Sequence, residues 1–366
     1  MNYYLPTRLI TGPGAVSMSA ERIAAFGRRC MIVTSGTAAK KCGALDDVSA
    51  VLREKGIAYE VYDDVQPNPS IASCVTGGRR AAAFGADFII GIGGGSPLDA
   101  AKVIALSARN PELDADGLYR LNWPNGPLPV VLVGTTAGTG SEMTAVAVIT
   151  DTAGRKHSFH GESFYASLSI GDARYTESVP LRVTASTGVD ALAHCLESWF
   201  SKTANEISRA FAVQGITMLL PPLRTVAGGV LPTPEEREVL YRGSLLGGMA
   251  ISVTGTCMPH NMGYYLTENY GIPHGFACAV FEPALLRHAM TCAPEYTEEL
   301  FRRTGTDLES LTGLIRTLTP RPEIRMTDGE LEAILPRWDN NASIQKTVGE
   351  LKRDQLREIW KELLVG

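Results

Sequence analysis

The sequence predicts a doubly wound α/β domain over residues 1–178, followed by an all-helical domain over residues 179–366. Three observations carry this. In the first half, short apolar β-branched runs alternate with helical patterns, as βαβ units require. Beyond Val179 the dominant period is 3.6 residues, with Ala, Leu and Met enriched. And 366 residues, 45 % apolar and 20 % charged, are enough for two buried cores and are not a disordered composition.

In order, residues 30–34 (CMIVT) read as a first strand, Ser35-Gly36 as a turn, and the Ala- and Lys-rich stretch after it as a helix. Residues 57–62 (IAYEVY) are a second strand, and Gln66-Pro67-Asn68-Pro69-Ser70 is a loop capping the next helix. Residues 87–92 (DFIIGI) are a third, apolar enough to be covered on both faces of a parallel sheet, and residues 128–134 (LPVVLVG) a fourth. Helical periodicity then covers residues 183–201, 205–227, 235–253, 259–267 and 276–291, with two charged amphipathic stretches at 329–336 and 349–364.

Composition also excludes. With 34 basic and 39 acidic residues the net charge is −5 and no basic cluster stands out, so no nucleic-acid partner and no membrane surface is expected. No apolar run approaches the roughly 18 residues of a membrane span, and the first residues lack the charged-then-apolar pattern of a secretory signal. Seven cysteines, with no C-x-x-C, read as reduced thiols of a cytoplasmic protein.

Two turns carry chemistry. The third strand runs into Gly93-Gly94-Gly95-Ser96-Pro97-Leu98-Asp99. Glycines let backbone approach a ligand closely, and Ser96 as N-cap with Pro97 after it opens a helix whose free N–H groups attract an anion. Ser96 stands where a third fingerprint glycine would, and no Gly-Lys-Ser/Thr follows, so neither a strict dinucleotide fingerprint nor a Walker loop is present. A tight turn without a ligand is the alternative. After the fourth strand, Thr135-Thr136-Ala137-Gly138-Thr139-Gly140-Ser141-Glu142 offers uncharged donors for a phosphate or ribose, or simply caps its own helix. Both turns fall at the carboxyl ends of strands, where open α/β sheets bind ligands.

Three of the six histidines are informative. Asp190 and His194 lie four apart, on one face of the helix at 183–201, and His260 and His274 stand beside Pro and Gly at helix boundaries. One carboxylate with three imidazoles suits Zn²⁺ or Fe²⁺ better than Mg²⁺. A helix-surface hydrogen bond and two loop histidines are the alternative. His157, His160 and His288 read as surface or packing residues, and Asp63-Asp64 as a solvated face.

At GGGSPLDAAK (93–102), TTAGTGSE (135–142), TGVDALAHCLE (187–197) and the block from His260 to His274, the chain resembles the iron-containing (group III) alcohol dehydrogenase family over essentially its whole length. The resemblance implies a Rossmann-like dinucleotide-binding domain, then a helical metal-binding domain. It implies an NAD(P)-linked alcohol dehydrogenase or aldehyde reductase acting on small primary alcohols or diols. The family's metal ligands fall on Asp190, His194, His260 and His274, which are then also the catalytic set, with Fe²⁺ bound and Zn²⁺ able to replace it. The pyrophosphate site falls on Gly94, Gly95 and Ser96 with Asp99 nearby, the nucleotide-contacting threonines on Thr135, Thr136 and Thr144, and a ribose-side lysine on Lys156. Members that prefer NAD carry an Asp after the first strand; here Ser35 stands there, with Lys40 and Lys41 following, so NADP(H) is expected over NAD(H). Many members carry a second histidine four residues from the one at His260; Thr256 stands at that spacing here. Substrate-lining candidates are Thr144, Val146, Phe159, Cys257, Met258 and Tyr264, and a homodimer or larger assembly is implied. A dehydroquinate-synthase-like lyase and a metal-dependent hydrolase are the rival activities, and a non-catalytic small-molecule binder is a third.

Overall fold

The computed structural model describes residues 3–120 and 122–364. Six strands, β1 (Arg8–Thr11), β2 (Arg29–Val33), β3 (Ala58–Tyr62), β4 (Phe88–Gly93), β5 (Val130–Gly134) and β8 (Leu168–Gly171), form one sheet in the order β1-β8-β5-β4-β2-β3. Every neighbouring pair is parallel, with Ile90 facing Val131 and Ile32 facing Ile90. All residues of β4 and β5 are buried. Alternation along the strands sorts their side chains into two apolar layers. Met31, Val33, Ile89 and Leu132 pack on the helices Ile71–Phe84 and Gly95–Arg109, while Ile32, Ile90, Ile92 and Val133 pack on the helix Ala44–Glu54 and the segment around Val16. This is the doubly wound arrangement, and near-continuous apolar strands are its sequence mark.

The four expected strands stand within two residues of their expected ends. Four more went unread: β1 and β8, only four residues each, and the antiparallel hairpin of β6 (Val146–Thr150) and β7 (Lys156–His160). In β6 buried and half-buried residues alternate, so it lacks the continuous apolar run of the central strands.

The described residues cluster into two compact units: those of 4–179 with Thr233–Tyr241, and Tyr3 with 180–232 and 242–364. Segment 233–241 therefore groups with the sheet, although it lies far beyond residue 178. Its contacts there include the Arg237 guanidinium, which donates to the carbonyls of Thr176 and Val179, and the Tyr241 hydroxyl, which donates to Glu142 Oε1 at 3.0 Å. The other unit is helical, with long helices Leu181–Trp199, Glu206–Ala227 and Met258–Tyr270. The stretch read as one helix at 276–291 is two, His274–Ala279 and Glu282–Cys292, the second opening with Pro283 at its start, where a missing N–H costs nothing. Among the described residues, no helix is long and apolar enough to cross a membrane.

Candidate metal centre and nucleotide turns

Three helices deliver the polar cluster of the helical unit. Asp190 and His194 project from one face of Leu181–Trp199, His260 lies in the first turn of Met258–Tyr270, and His274 opens His274–Ala279. Gly275 makes the approach possible: a Cβ there would lie 1.9 Å from the Ser186 carbonyl oxygen. No other residue fits at that crossing. Asp190 Oδ1 lies 3.4 Å from His260 Nε2 and 3.8 Å from His274 Nε2. The His194 ring stacks on that of His260, centroids 4.6 Å apart.

Asp190 and His260 are each 2 % exposed, and Asp190 Oδ1 and His260 Nε2 have no hydrogen-bond partner. Leaving a buried polar atom unsatisfied costs about 1–3 kcal/mol, more for a charged one. A divalent cation removes that penalty, so the donor set fits a metal. Burial works against an ionised Asp190, yet the imidazoles of His194 and His274 hold its carboxyl well below the usual range, keeping it an anion. Glu197 Oε1 engages His260 Nδ1, and its Oε2 accepts from the Cys257 backbone N–H at 2.5 Å. A proton held at Nδ1 leaves the Nε2 lone pair facing Asp190, the usual device for aiming a ligating imidazole. Behind Glu197, burial and then the Glu197 charge itself push the Glu282 carboxyl up, so Glu282 stays neutral.

The donor atoms of Asp190, His260, His274 and Cys278 all lie within 4.8 Å of one another. Three of the four expected ligands are thus joined by a thiol, while His194 borders the group through its stacked ring. Cys278 escaped the sequence reading although it stands four residues after His274, the same spacing that drew attention to Asp190 and His194. Thr256 precedes its helix, so the helical spacing from His260 runs forward instead, to Tyr264, whose ring stacks on His274 with centroids 5.6 Å apart.

In the α/β unit, the helix after β4 opens at Gly95 with Gly94 as N-cap. It starts two residues earlier than the Ser96 cap expected, and Ser96 Oγ instead accepts from the Asn68 N–H at 3.3 Å. The threonine turn lies directly against the glycine turn: the Thr135 N–H donates to the Gly93 carbonyl at 2.9 Å, and a Cβ on Gly95 would come within 2.7 Å of Thr139. The N-terminus of a 15-residue helix and a hydroxyl-rich loop are therefore side by side.

Asp99, Thr144 and their neighbours serve one another. Asp99 accepts from Ser141 Oγ at 2.6 Å and from the Val148 N–H at 2.9 Å. Lys102, 1 % exposed, donates to the carbonyls of Ser141 (2.8 Å), Thr144 (3.0 Å) and Val146 (2.7 Å). Burial lowers the Lys102 ammonium to about 8. Lys156 begins β7 opposite Thr150. Ser35 pairs with Asp64 through an isolated bridge, and the Gly36 N–H donates to the Asp63 carbonyl at 3.2 Å. The backbone of Asp63 and Asp64 thus runs beside the turn after β2, with both residues exposed as expected. Among the substrate-lining candidates, Phe159, Cys257 and Met258 are wholly buried; Phe159 stacks on Tyr119 with centroids 4.9 Å apart and belongs to the core.

The parallel sheet with its turns and the Asp–His cluster define a class, and comparison with known proteins gives its family. The "Iron-containing alcohol dehydrogenase" model matches residues 6–173 and the "Fe-containing alcohol dehydrogenase family, C-terminal" model residues 184–317. A 1,3-propanediol dehydrogenase of Klebsiella pneumoniae is 35 % identical over 318 residues, 86 % of this chain and 81 % of that one. An iron-containing alcohol dehydrogenase from Thermotoga maritima superposes with a TM-score of 0.89 at 31 % identity, over 99 % of each chain. A sulfoacetaldehyde reductase of Bifidobacterium kashiwanohense, solved with NAD⁺, gives 0.86 at 25 %, over 99 % of this chain and 98 % of that one. The chain belongs to the iron-containing alcohol dehydrogenase family. It is an NAD(P)-linked oxidoreductase of the alcohol dehydrogenase and aldehyde reductase type, and its relatives do not favour the lyase or hydrolase readings.

Proposed function

We propose that this enzyme interconverts a small primary alcohol or diol and its aldehyde, using one divalent ion, Fe²⁺ or in its place Zn²⁺, held by Asp190, His194, His260 and His274, and NADP(H) in preference to NAD(H). The observation that carries the metal assignment is the pair of buried, unpartnered atoms Asp190 Oδ1 and His260 Nε2. When bound, the ion supplies Lewis acidity toward the substrate oxygen and the nicotinamide supplies hydride chemistry. The chain's own residues do the rest. Asp190 contributes the anionic donor, Glu197 fixes the orientation of His260, and the half-exposed His274 is the member that faces solvent and incoming substrate.

In the nucleotide turns, the free backbone N–H groups after Gly94 and Gly95, with Ser96, favour a pyrophosphate. Thr135 and Thr136 offer hydroxyls beside it. Asp99 and Thr144 act by holding the loop 141–148 through Lys102 and Ser141, and Lys156 takes the ribose side. Residues 1–178 then supply the nucleotide functions and residues 179–366 the metal functions. The half-exposed Ser35, with exposed Lys40 and Lys41 beyond it, supports NADP(H). Asp64, bridged to Ser35, favours the second reading, NAD(H). A cytoplasmic location accords with seven cysteines that are all free thiols, and the family resemblance supports a homodimer or larger assembly. The test is a panel of small alcohols and aldehydes, assayed with each nicotinamide cofactor after loading Fe²⁺ or Zn²⁺. Activity independent of added metal overturns the metal reading, and turnover confined to carboxylate-bearing substrates overturns the substrate class.

A further inference from the structure

We propose that Cys278 is a donor of the metal centre, making it a mixed oxygen, nitrogen and sulfur site; this rests on the metal reading above. Cys278 is fully buried on the helix His274–Ala279, one turn after His274. Its Sγ lies 3.6 Å from His274 Nδ1 and 3.8 Å from Nε2. The four donor atoms of Asp190, His260, His274 and Cys278 lie within 4.8 Å of one another. Donors sharing one ion at bond lengths of about 2.0–2.3 Å stand about 3–4.6 Å apart, and the separations Asp190 Oδ1–His260 Nε2 (3.4 Å), Asp190 Oδ1–His274 Nε2 (3.8 Å) and Cys278 Sγ–His274 Nε2 (3.8 Å) fall in that range. Two members of the group, Asp190 Oδ1 and His260 Nε2, are buried, face each other at 3.4 Å and make no hydrogen bond. Among the seven cysteines, this is the thiol that joins the Asp–His group. A sulfur donor shifts selectivity toward thiophilic ions such as Zn²⁺ and away from hard ions such as Mn²⁺.

The experiment strips the purified full-length protein with a chelator, titrates it with Co²⁺ alone, and records bound cobalt by elemental analysis and the near-ultraviolet spectrum together. The wild type is expected to bind one cobalt per chain with a thiolate-to-cobalt charge-transfer band. That band disappears in Cys278→Ser and persists in Cys292→Ser, while cobalt stoichiometry holds in both. Zn²⁺ affinity of Cys278→Ser falls by about tenfold or more, while Mn²⁺ affinity is little changed. Stoichiometric cobalt without the band in the wild type overturns the proposal and leaves the Asp–His site standing. No bound cobalt in the wild type overturns both. If Cys278→Ser does not fold, the wild-type spectrum with the Cys292→Ser control decides alone.

Discussion

Two buried charged clusters in this molecule are built on opposite plans. In the α/β unit, Lys102 donates toward three carbonyls and two hydroxyls, and both oxygens of Asp99 are taken. In the helical unit, Asp190 Oδ1 and His260 Nε2 are buried and have no hydrogen-bond partner. A buried polar group in a stable fold is satisfied by the chain or by something the chain binds. The first cluster therefore holds the loop 141–148, and the second is the one in which the proposed metal would find unmet donors. Burial and charge alone do not separate them. The accounting of partners does.

The largest effect is expected at the incomplete cluster. His274→Ala or His260→Ala should lose bound metal and turnover together while nucleotide binding survives. Wild type should gain about 2.7 kcal/mol of stability with metal at a hundred times its Kd. The variants should gain none. Elemental analysis and thermal melts with and without metal read this out, and stoichiometric metal in His274→Ala breaks the comparison.

At the complete cluster the loss should be of stability. Lys102→Met strips the donor from three buried carbonyls, at about 1 kcal/mol or more each, so roughly 3 kcal/mol in urea unfolding, with metal content unchanged. The same lysine gives a pH signature. Its folded value, near 8, lies below the ordinary 10.5, so between those values the unfolded chain binds the extra proton. Stability carried by Lys102 therefore rises from about pH 8 to 10.5, and the rise should be missing in Lys102→Met. A wild-type curve with the same slope as the variant would show that the ammonium is not held as described.

What the sequence disclosed divides along the same line. β4 and the Gly93–Gly95 turn were legible because continuous apolar burial and a glycine run are local signals. Asp190 and His194 were legible through helical spacing. The partners of Lys102 stand about forty residues along the chain, and the segment 233–241 returns to the sheet from further still, so nothing local announces either. β1 and β8 are too short for a periodic pattern. Cys278 had a readable spacing, but only the meeting of three helices shows that its thiol joins Asp190, His260 and His274 in one tight group.

A smaller effect is expected at the glycine turn, where the ligand meets backbone. Gly95→Val places a branched side chain against Thr139, already 2.7 Å from an added Cβ. The turn must open, and nucleotide Kd should rise roughly tenfold or more, about 1.4 kcal/mol, with metal stoichiometry intact. Fluorescence titration with NADPH checks it. Unchanged affinity in a folded Gly95→Val protein makes the turn structural, like the Lys102 network beside it.

The finest distinction lies at Ser35, where the two cofactors differ by one phosphate. NAD-preferring sites place a carboxylate on the ribose 2′-hydroxyl, which repels a 2′-phosphate. The turn after β2 offers the Ser35 hydroxyl, the exposed Thr37 and the exposed Lys40 and Lys41, all suited to a phosphate. Against them stands Asp64, whose backbone is bridged to Ser35, with an exposed side chain. A backbone bridge fixes where Asp64 begins, whereas a carboxylate at position 35 itself would sit on the turn. Ser35→Asp should therefore reverse a wild-type preference for NADPH, lowering kcat/KM with NADPH about tenfold, or 1.4 kcal/mol, while leaving that with NADH nearly unchanged. Asp64→Asn should strengthen the wild-type preference by a smaller factor. A wild-type enzyme clearly better with NADH, weakened in that preference by Asp64→Asn, would make Asp64 the discriminating carboxylate and transfer to it the role assigned here to the vacancy of charge at Ser35.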